Sequence, residues 1–282
     1  MKIKFLEEKI MNILMIISII LVISFLGSIL WTVIKKGIPV LSWDMISKLP
    51  GGGFYIGKEG GILNAIVGSL YIVGGATLIG LLISIPVVFY INIYLKKTHF
   101  LAKFARLTYD VLFGIPSIVY GAFGFTIMVF LGLRTSLLAG IIVISLLIIP
   151  IFIRSMDEVT KQLPRELLEV SYSLGATRLE TLKIVIRQIA PGIATATFLS
   201  IGRAIGDTAG VMFTAGFTDN IPTSLNQPAA TLPLSIFFQL SSPSDDVQNK
   251  AYAAALLLTI IVLILSILGR LFLYKFSKNK IS

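Results

Sequence analysis

The chain has 282 residues, 56% of them hydrophobic and only 13% charged, and it carries a net charge of +10. A soluble domain is about one-quarter charged, so this composition excludes an ordinary soluble enzyme and predicts an all-α polytopic membrane protein. Cysteine is absent and His99 is the only histidine, which removes disulfides, thiolate metal sites, His clusters and cysteine nucleophiles from consideration.

In chain order, a short basic N-terminus (1–9) leads into a first apolar run at 10–34. Its basic start resembles a signal peptide, but its length, the lack of an A-x-A-like cleavage site and the polar loop that follows read as an anchored span. Further runs lie at 62–94, 111–133, 137–153 and 251–273. A weaker one at 189–217 contains Arg203 and Asp207. Each is close to the roughly 20 residues that a bilayer-spanning helix needs. Six transmembrane helices are therefore predicted, with Pro86 and Pro116 as kinks inside spans two and three. Basic residues concentrate before the first span, at 96–106, at 154–187 and at the C-terminal end. The intervening loops are poor in them. The positive-inside rule then places both termini, including a tail at 274–282, and the 154–188 loop in the cytoplasm. Outside lie the Gly-rich loop "SKLPGGGFYIGKEGG" (47–61) and a long loop over 218–250. In the latter, "LPLSIFFQL" (232–240) reads as a short interfacial helix or a re-entrant segment.

The cytoplasmic stretch "DEVTKQLPRELLEVSYSLGATRLETLKIV" (157–185) carries both charge signs and is too long for a turn. Pro164 stands where a helix begins, with Arg165 and Glu166 in its first turn. Gly175 is a stop, and Thr177 with Glu180 three residues later forms a capping box for the next helix. The residues thus predict a short helix across the cytoplasmic face, either a rigid knob for a soluble partner or a simple amphipathic interfacial helix.

This stretch resembles the EAA loop of ABC-importer permeases. Glu169 matches its Glu, Val170 and Ser171 stand for its two alanines, and Gly175 matches its Gly. Val185 falls where that pattern has Ile, and its Leu-Pro is replaced by Arg187 and Gln188. Three further motifs, "GGILNAIVGSL" (60–70), "FGIPSIVYGAFG" (113–124) and "GRAIGDTA" (202–209), resemble signatures of the phosphate-importer permease subunits, the PstA type in length and motif set. The usual acidic residue of the last motif is Glu, and here it is Asp207. The resemblance implies a noncatalytic permease domain over 10–273 in a bacterial or archaeal plasma membrane. It also implies a coupling helix between spans four and five that docks on an ATPase through Glu169, Val170, Ser171 and Gly175. The implied partners are a second permease subunit, two cytoplasmic ATPase subunits and an extracytoplasmic phosphate-binding protein, with inorganic phosphate as substrate and no nucleic acid. No cofactor is implied on this chain; ATP and Mg belong to the partner, since no ATP-binding motif occurs here.

Arg203 and Asp207 raise a separate question. An ionised side chain at a helix centre costs about 2.5–3.5 kcal/mol on insertion scales. At i,i+4 the two residues would share a helix face, in the less favourable order for the helix dipole. One reading is a pair that fixes register between spans. The other is a substrate path in which the Arg203 guanidinium meets a phosphate oxygen pair through its planar fork. Asp207 would then weaken the hold so that the anion leaves, and Thr208, Ser117 and Tyr120 would line the same path. Ser117 and Tyr120 read equally well as packing residues. Alternative functions are an ABC permease for another oxyanion, such as molybdate or sulfate, and an autonomous anion channel or carrier.

Overall fold

In the computed structural model, which describes residues 2–51, 59–95 and 98–277, helices account for nearly all regular structure. Residues 52–58 of the Gly-rich loop and 278–282 of the C-terminal tail lie outside the described residues. The helices are α1 (Lys2–Gly37), α2 (Trp43–Ser47), α3 (Leu63–Phe89), α4 (Phe100–Phe113), α5 (Ser117–Phe130), α6 (Leu137–Lys161), α7 (Arg165–Ser173), α8 (Arg178–Ile205), α9 (Ala209–Met212), α10 (Leu232–Leu240) and α11 (Asp245–Ser277). Five of them, α1, α3, α6, α8 and α11, are long and apolar enough to cross a membrane. The helices α4 and α5 reach that length only together, and they are bent by 99° at the break between them.

Helix α6 is the hub. Two-thirds of its most apolar window is buried within the chain, against none of the window in α1. Ile144, Ile148 and Phe152 of α6 meet Ile72 and Ala76 of α3 and Ala196 and Ala204 of α8 in one apolar cluster. These residues recur at three- and four-residue intervals, the spacing that puts side chains on one face of a helix.

Two expectations are corrected, and two elements gain detail. Span three is not one kinked helix. Gly114 caps α4, and Pro116 sits outside the helices at the N-cap of α5 in extended backbone, the conformation a proline imposes together with the loss of an amide donor. The helix of span four continues past residue 153. Helix α6 runs two turns further because Met156, Asp157 and Thr160 are buried there. Span five does not continue to 217. Helix α8 starts at Arg178 and stops at Ile205, Gly206 caps it, and only the four-residue α9 follows. Finally, 232–240 forms the expected short helix and is packed against its neighbours. Helix α10 lies against α11 and α3, with Leu232 and Leu234 fully buried.

The end of span two also has an unexpected shape. One turn after Pro86 the helix widens into a π turn over Tyr90–Tyr94, closed by the Leu95 amide donating to the Tyr90 carbonyl at 3.1 Å.

The element between α6 and α8 follows its sequence signals closely. Pro164 precedes α7, and Gly175 adopts φ +80. The amides of Gly175 and Ala176 donate to the carbonyls of Tyr172 and Ser171 at 3.0 and 3.1 Å, the paired bonds of a Schellman stop. Thr177 and Glu180 form the reciprocal capping box that opens α8.

Candidate substrate path and coupling helix

Arg203 lies in the last turn of α8 and is exposed. A cation in the last turn complements the helix dipole, so ending α8 at Ile205 reverses the unfavourable order expected for a continuous helix. The guanidinium lines a half-open groove of about 350 Å³ with Leu112, Phe113, Ile115, Leu147, Ile151 and Leu199. Three walls meet there: the α4–α5 bend, α6 and α8. Every other lining side chain is apolar, so Arg203 supplies the groove's charge. Another cavity of about 440 Å³, between α5 and α6, is mostly apolar, carries Arg134 at its edge and does not include Arg203.

Asp207 is elsewhere. The helix break separates it from Arg203, and among the described residues no ion pair joins them. Its carboxylate is buried, and Oδ2 accepts the Gly210 amide at 2.7 Å, which satisfies a donor at the start of α9. It also borders a void of about 10 Å³ beside Ser69 and Thr231. Thr208, half-buried at the N-cap of α9, accepts the Met212 amide at its carbonyl, 3.0 Å away. Asp207 and Thr208 therefore shape the break, whereas Arg203 faces the groove.

Ser117 and Tyr120 open α5. Ser117 is half-buried at the helix start. Tyr120 is buried, and its hydroxyl donates to the Leu112 carbonyl at 2.9 Å, stapling α5 back onto the end of α4. Tyr120 thus holds a groove residue in place without lining the groove itself.

The three sequence motifs converge on the segment after the break. Gly121 lets α5 ride on the backbone of α9: a Cβ there would stand 2.5 Å from the Ala209 carbonyl oxygen. From the 60–70 motif, the Asn64 amide donates to the Thr218 carbonyl at 2.6 Å, and Ser69 Oγ accepts the Leu232 amide at 2.8 Å. These bonds anchor the long return that follows α9. That return also satisfies the start of α6, whose Leu137 and Leu138 amides donate to the carbonyls of Gln227 and Leu225.

On α7, the residues matched to the EAA pattern divide. Glu169 and Val170 are exposed, as is Gly175 in the turn. Ser171 is buried, with Oγ 2.8 Å from Thr181 Oγ1 of α8. Ser171 therefore fastens the helix to the body, and Val170 with the nearby Tyr172 and Leu174 faces outward.

Two features escaped the sequence reading. Arg154 lies on α6 just beyond Ile151, with its guanidinium 4.6 Å from the ring centre of the groove residue Phe113 and 3.8 Å from Asp110 Oδ1. Asp157, read as the start of a surface loop, is fully buried in a polar cluster with Asn92, Arg106, Tyr109 and Lys161. Its only sequence signal is an acidic residue four before a lysine just after an apolar run.

Known proteins fit this architecture. The family described as "Binding-protein-dependent transport system inner membrane component" matches residues 89–281. The chain is 36% identical over 267 residues to the phosphate transport system permease protein PstA of Haemophilus influenzae, covering 94% of this chain and 93% of that one. The PstA of Pasteurella multocida is also 36% identical, over 97% of this chain and 96% of its own length. Among solved structures, an inward-facing form of the MetNI methionine ABC transporter superposes with a TM-score of 0.63 at 18% identity, over 76% of this chain and 95% of that one; this likeness concerns the fold. The chain belongs to the binding-protein-dependent transport system inner membrane components, and within them to the PstA-type permeases.

Proposed function

We propose that this chain is the permease subunit of an ATP-driven importer of inorganic phosphate, noncatalytic itself, with Arg203 as an anion contact on the route. The observation that carries this reading is a single guanidinium exposed to a groove whose other walls are apolar. In such surroundings an oxyanion finds one place to bind. Its hold there is limited, because one arginine supplies one fork of donors, and a route that must release its cargo needs a site of moderate strength. The break at Asp207 and Thr208 supports the same reading, since irregular backbone at membrane depth is tolerated where protein covers it or a cavity adjoins it.

The protein would work with a second permease subunit, two cytoplasmic ATPase subunits that use ATP and Mg, and an extracytoplasmic phosphate-binding protein. Helix α7 would dock on the ATPase through Glu169, Val170 and the turn at Gly175. Its movement would open the route to each side in turn. The test is uptake by the complex purified with its co-expressed partners and reconstituted in liposomes. Labelled phosphate should accumulate with ATP, and equimolar sulfate or molybdate should leave accumulation largely unchanged. Equal competition by sulfate would replace phosphate with a broader oxyanion class.

Orientation has its own test. Both termini and α7 are proposed to be cytoplasmic and the 218–231 return external. Ser173 and Ser224 are both exposed, and the chain has no native cysteine. An impermeant thiol reagent on intact cells should label Ser224→Cys and spare Ser173→Cys. Labelling of position 173 would invert the topology.

A further inference from the structure

Asp157 does not line the groove, yet among the described residues its buried carboxylate gathers bonds from four side chains. It is 0% exposed. Its Oδ1 accepts Asn92 Nδ2 at 2.7 Å and Arg106 Nη2 at 3.2 Å. Its Oδ2 accepts Arg106 Nε at 3.1 Å, the Tyr109 hydroxyl at 2.5 Å and Lys161 Nζ at 2.7 Å. Arg106 Nη2 also donates to Asn92 Oδ1 at 3.0 Å, and Asn92 Nδ2 reaches the Val88 carbonyl at 2.9 Å. One carboxylate thus ties together the π turn after α3, the middle of α4 and the far end of α6.

Stability alone gives little reason for this arrangement. Burying a charge cluster often does no better than packing apolar side chains of the same volume, and the rest of α6 is packed that way. What a saturated carboxylate provides is a single permitted geometry. The elements it joins have distinct duties. Lys161 ends α6, and only Gln162, Leu163 and Pro164 separate it from α7. Tyr109 sits one turn before Leu112 and Phe113, which wall the Arg203 groove. Leu112 is held in turn by the Tyr120 hydroxyl across the bend. Helix α7 and the groove wall are therefore linked through Asp157: a three-residue connection joins Lys161 to α7, and one turn of α4 joins Tyr109 to the wall.

We propose that Asp157 is a positioning residue for transport: it locks the α7-bearing end of α6 to α4, so that a displacement of α7 moves the groove wall with it. This rests on the reading of α7 as the ATPase dock and of the Arg203 groove as the anion route. Removing the carboxylate charge would let the ATPase drive α7 without carrying α4 along.

The test is the amount of phosphate taken up per ATP hydrolysed by the reconstituted complex. Asp157→Asn keeps the side-chain volume and removes the charge. It should hydrolyse ATP within about twofold of wild type while uptake per ATP falls about tenfold, in the range of ordinary intersite coupling. Tyr109→Phe removes one donor to the same carboxylate and should shift the ratio in the same direction, by about threefold. A merely structural role lowers the amount of assembled complex and leaves the ratio of the surviving complex at the wild-type value; that result for Asp157→Asn overturns the proposal. Should Asp157→Asn fail to assemble, Tyr109→Phe decides, and an unchanged ratio there overturns it equally. A wild-type complex that hydrolyses ATP without moving phosphate refutes the transport reading instead, before any variant is made, and the ratio is then read with the anion that it does carry.

Discussion

Phosphate uptake should fall about a hundredfold when Arg203 is replaced by Gln, with the amount of assembled complex unchanged, because the loss of charged hydrogen bonds costs about 1.5–3 kcal/mol. The complex should survive because Arg203 is exposed and is in no ion pair among the described residues. Arg203→Lys keeps the charge and loses the planar fork, so uptake should fall by about tenfold, intermediate between wild type and Gln. Asp207 should behave as a different kind of residue. Asp207→Asn retains an oxygen for the Gly210 amide and should leave uptake per complex within about threefold of wild type. Asp207→Leu strands that buried donor, at a cost of about 1–3 kcal/mol, and should reduce the amount of complex instead. The double change of Arg203 and Asp207 to Leu should show both defects without rescue, since separate partners predict additive losses. The amount of assembled complex, and uptake normalised to it, measure all five variants. Recovery in the double variant would mean that the two residues pair during the cycle and that Arg203 is structural.

Gly175→Pro should abolish recruitment of the ATPase while the chain still inserts in the membrane. Gly175 sits at φ +80 and its amide donates to the Tyr172 carbonyl at 3.0 Å. Proline fixes φ near about −65° and has no amide hydrogen, so neither the turn nor the bond can form. The exposed face of α7, with Val170, Tyr172 and Leu174, would then lose its fixed presentation. Gly175→Ala should give a milder defect, because an L residue in the left-handed region costs about 1–2 kcal/mol and nothing crowds a Cβ there. Co-purification of the ATPase with a tagged chain reads the series. Full recruitment and normal uptake in Gly175→Pro, or in a chain lacking 166–174, would remove α7 from the coupling role.

How far the sequence discloses this protein depends on the range of the forces involved. Helix α7 is legible almost to the residue because Pro164, Gly175, Thr177 and Glu180 act within a few positions of themselves. The apolar runs are legible because hydropathy is a local sum, though it does not show where a run breaks. Pro116 was visible, but whether it bends a helix or separates two depends on Tyr120 reaching back to Leu112. The end of α8 at Gly206 likewise depends on α5 approaching α9 at Gly121. The supposed pair of Arg203 and Asp207 failed for this reason: the four-residue rule holds only inside an unbroken helix. Asp157 was the least legible, since its partners lie 48 to 65 residues away apart from Lys161.

Helix α1 stands at the opposite extreme from Asp157. Every side chain over 7–32 is exposed within the chain, and its mean hydropathy of 2.9 is as high as any of the crossing helices. No neighbour in this protein reads the order of those residues; what is specified there is a preference for hydrocarbon, summed over the segment. Exchanging leucine for isoleucine over 7–32 therefore disturbs little inside this chain, whereas the end of α1, where Lys36 lies over the Tyr252 ring, packs against α11. Within this chain the first span is specified more by composition than by order, while one carboxylate further on answers to four partners at once.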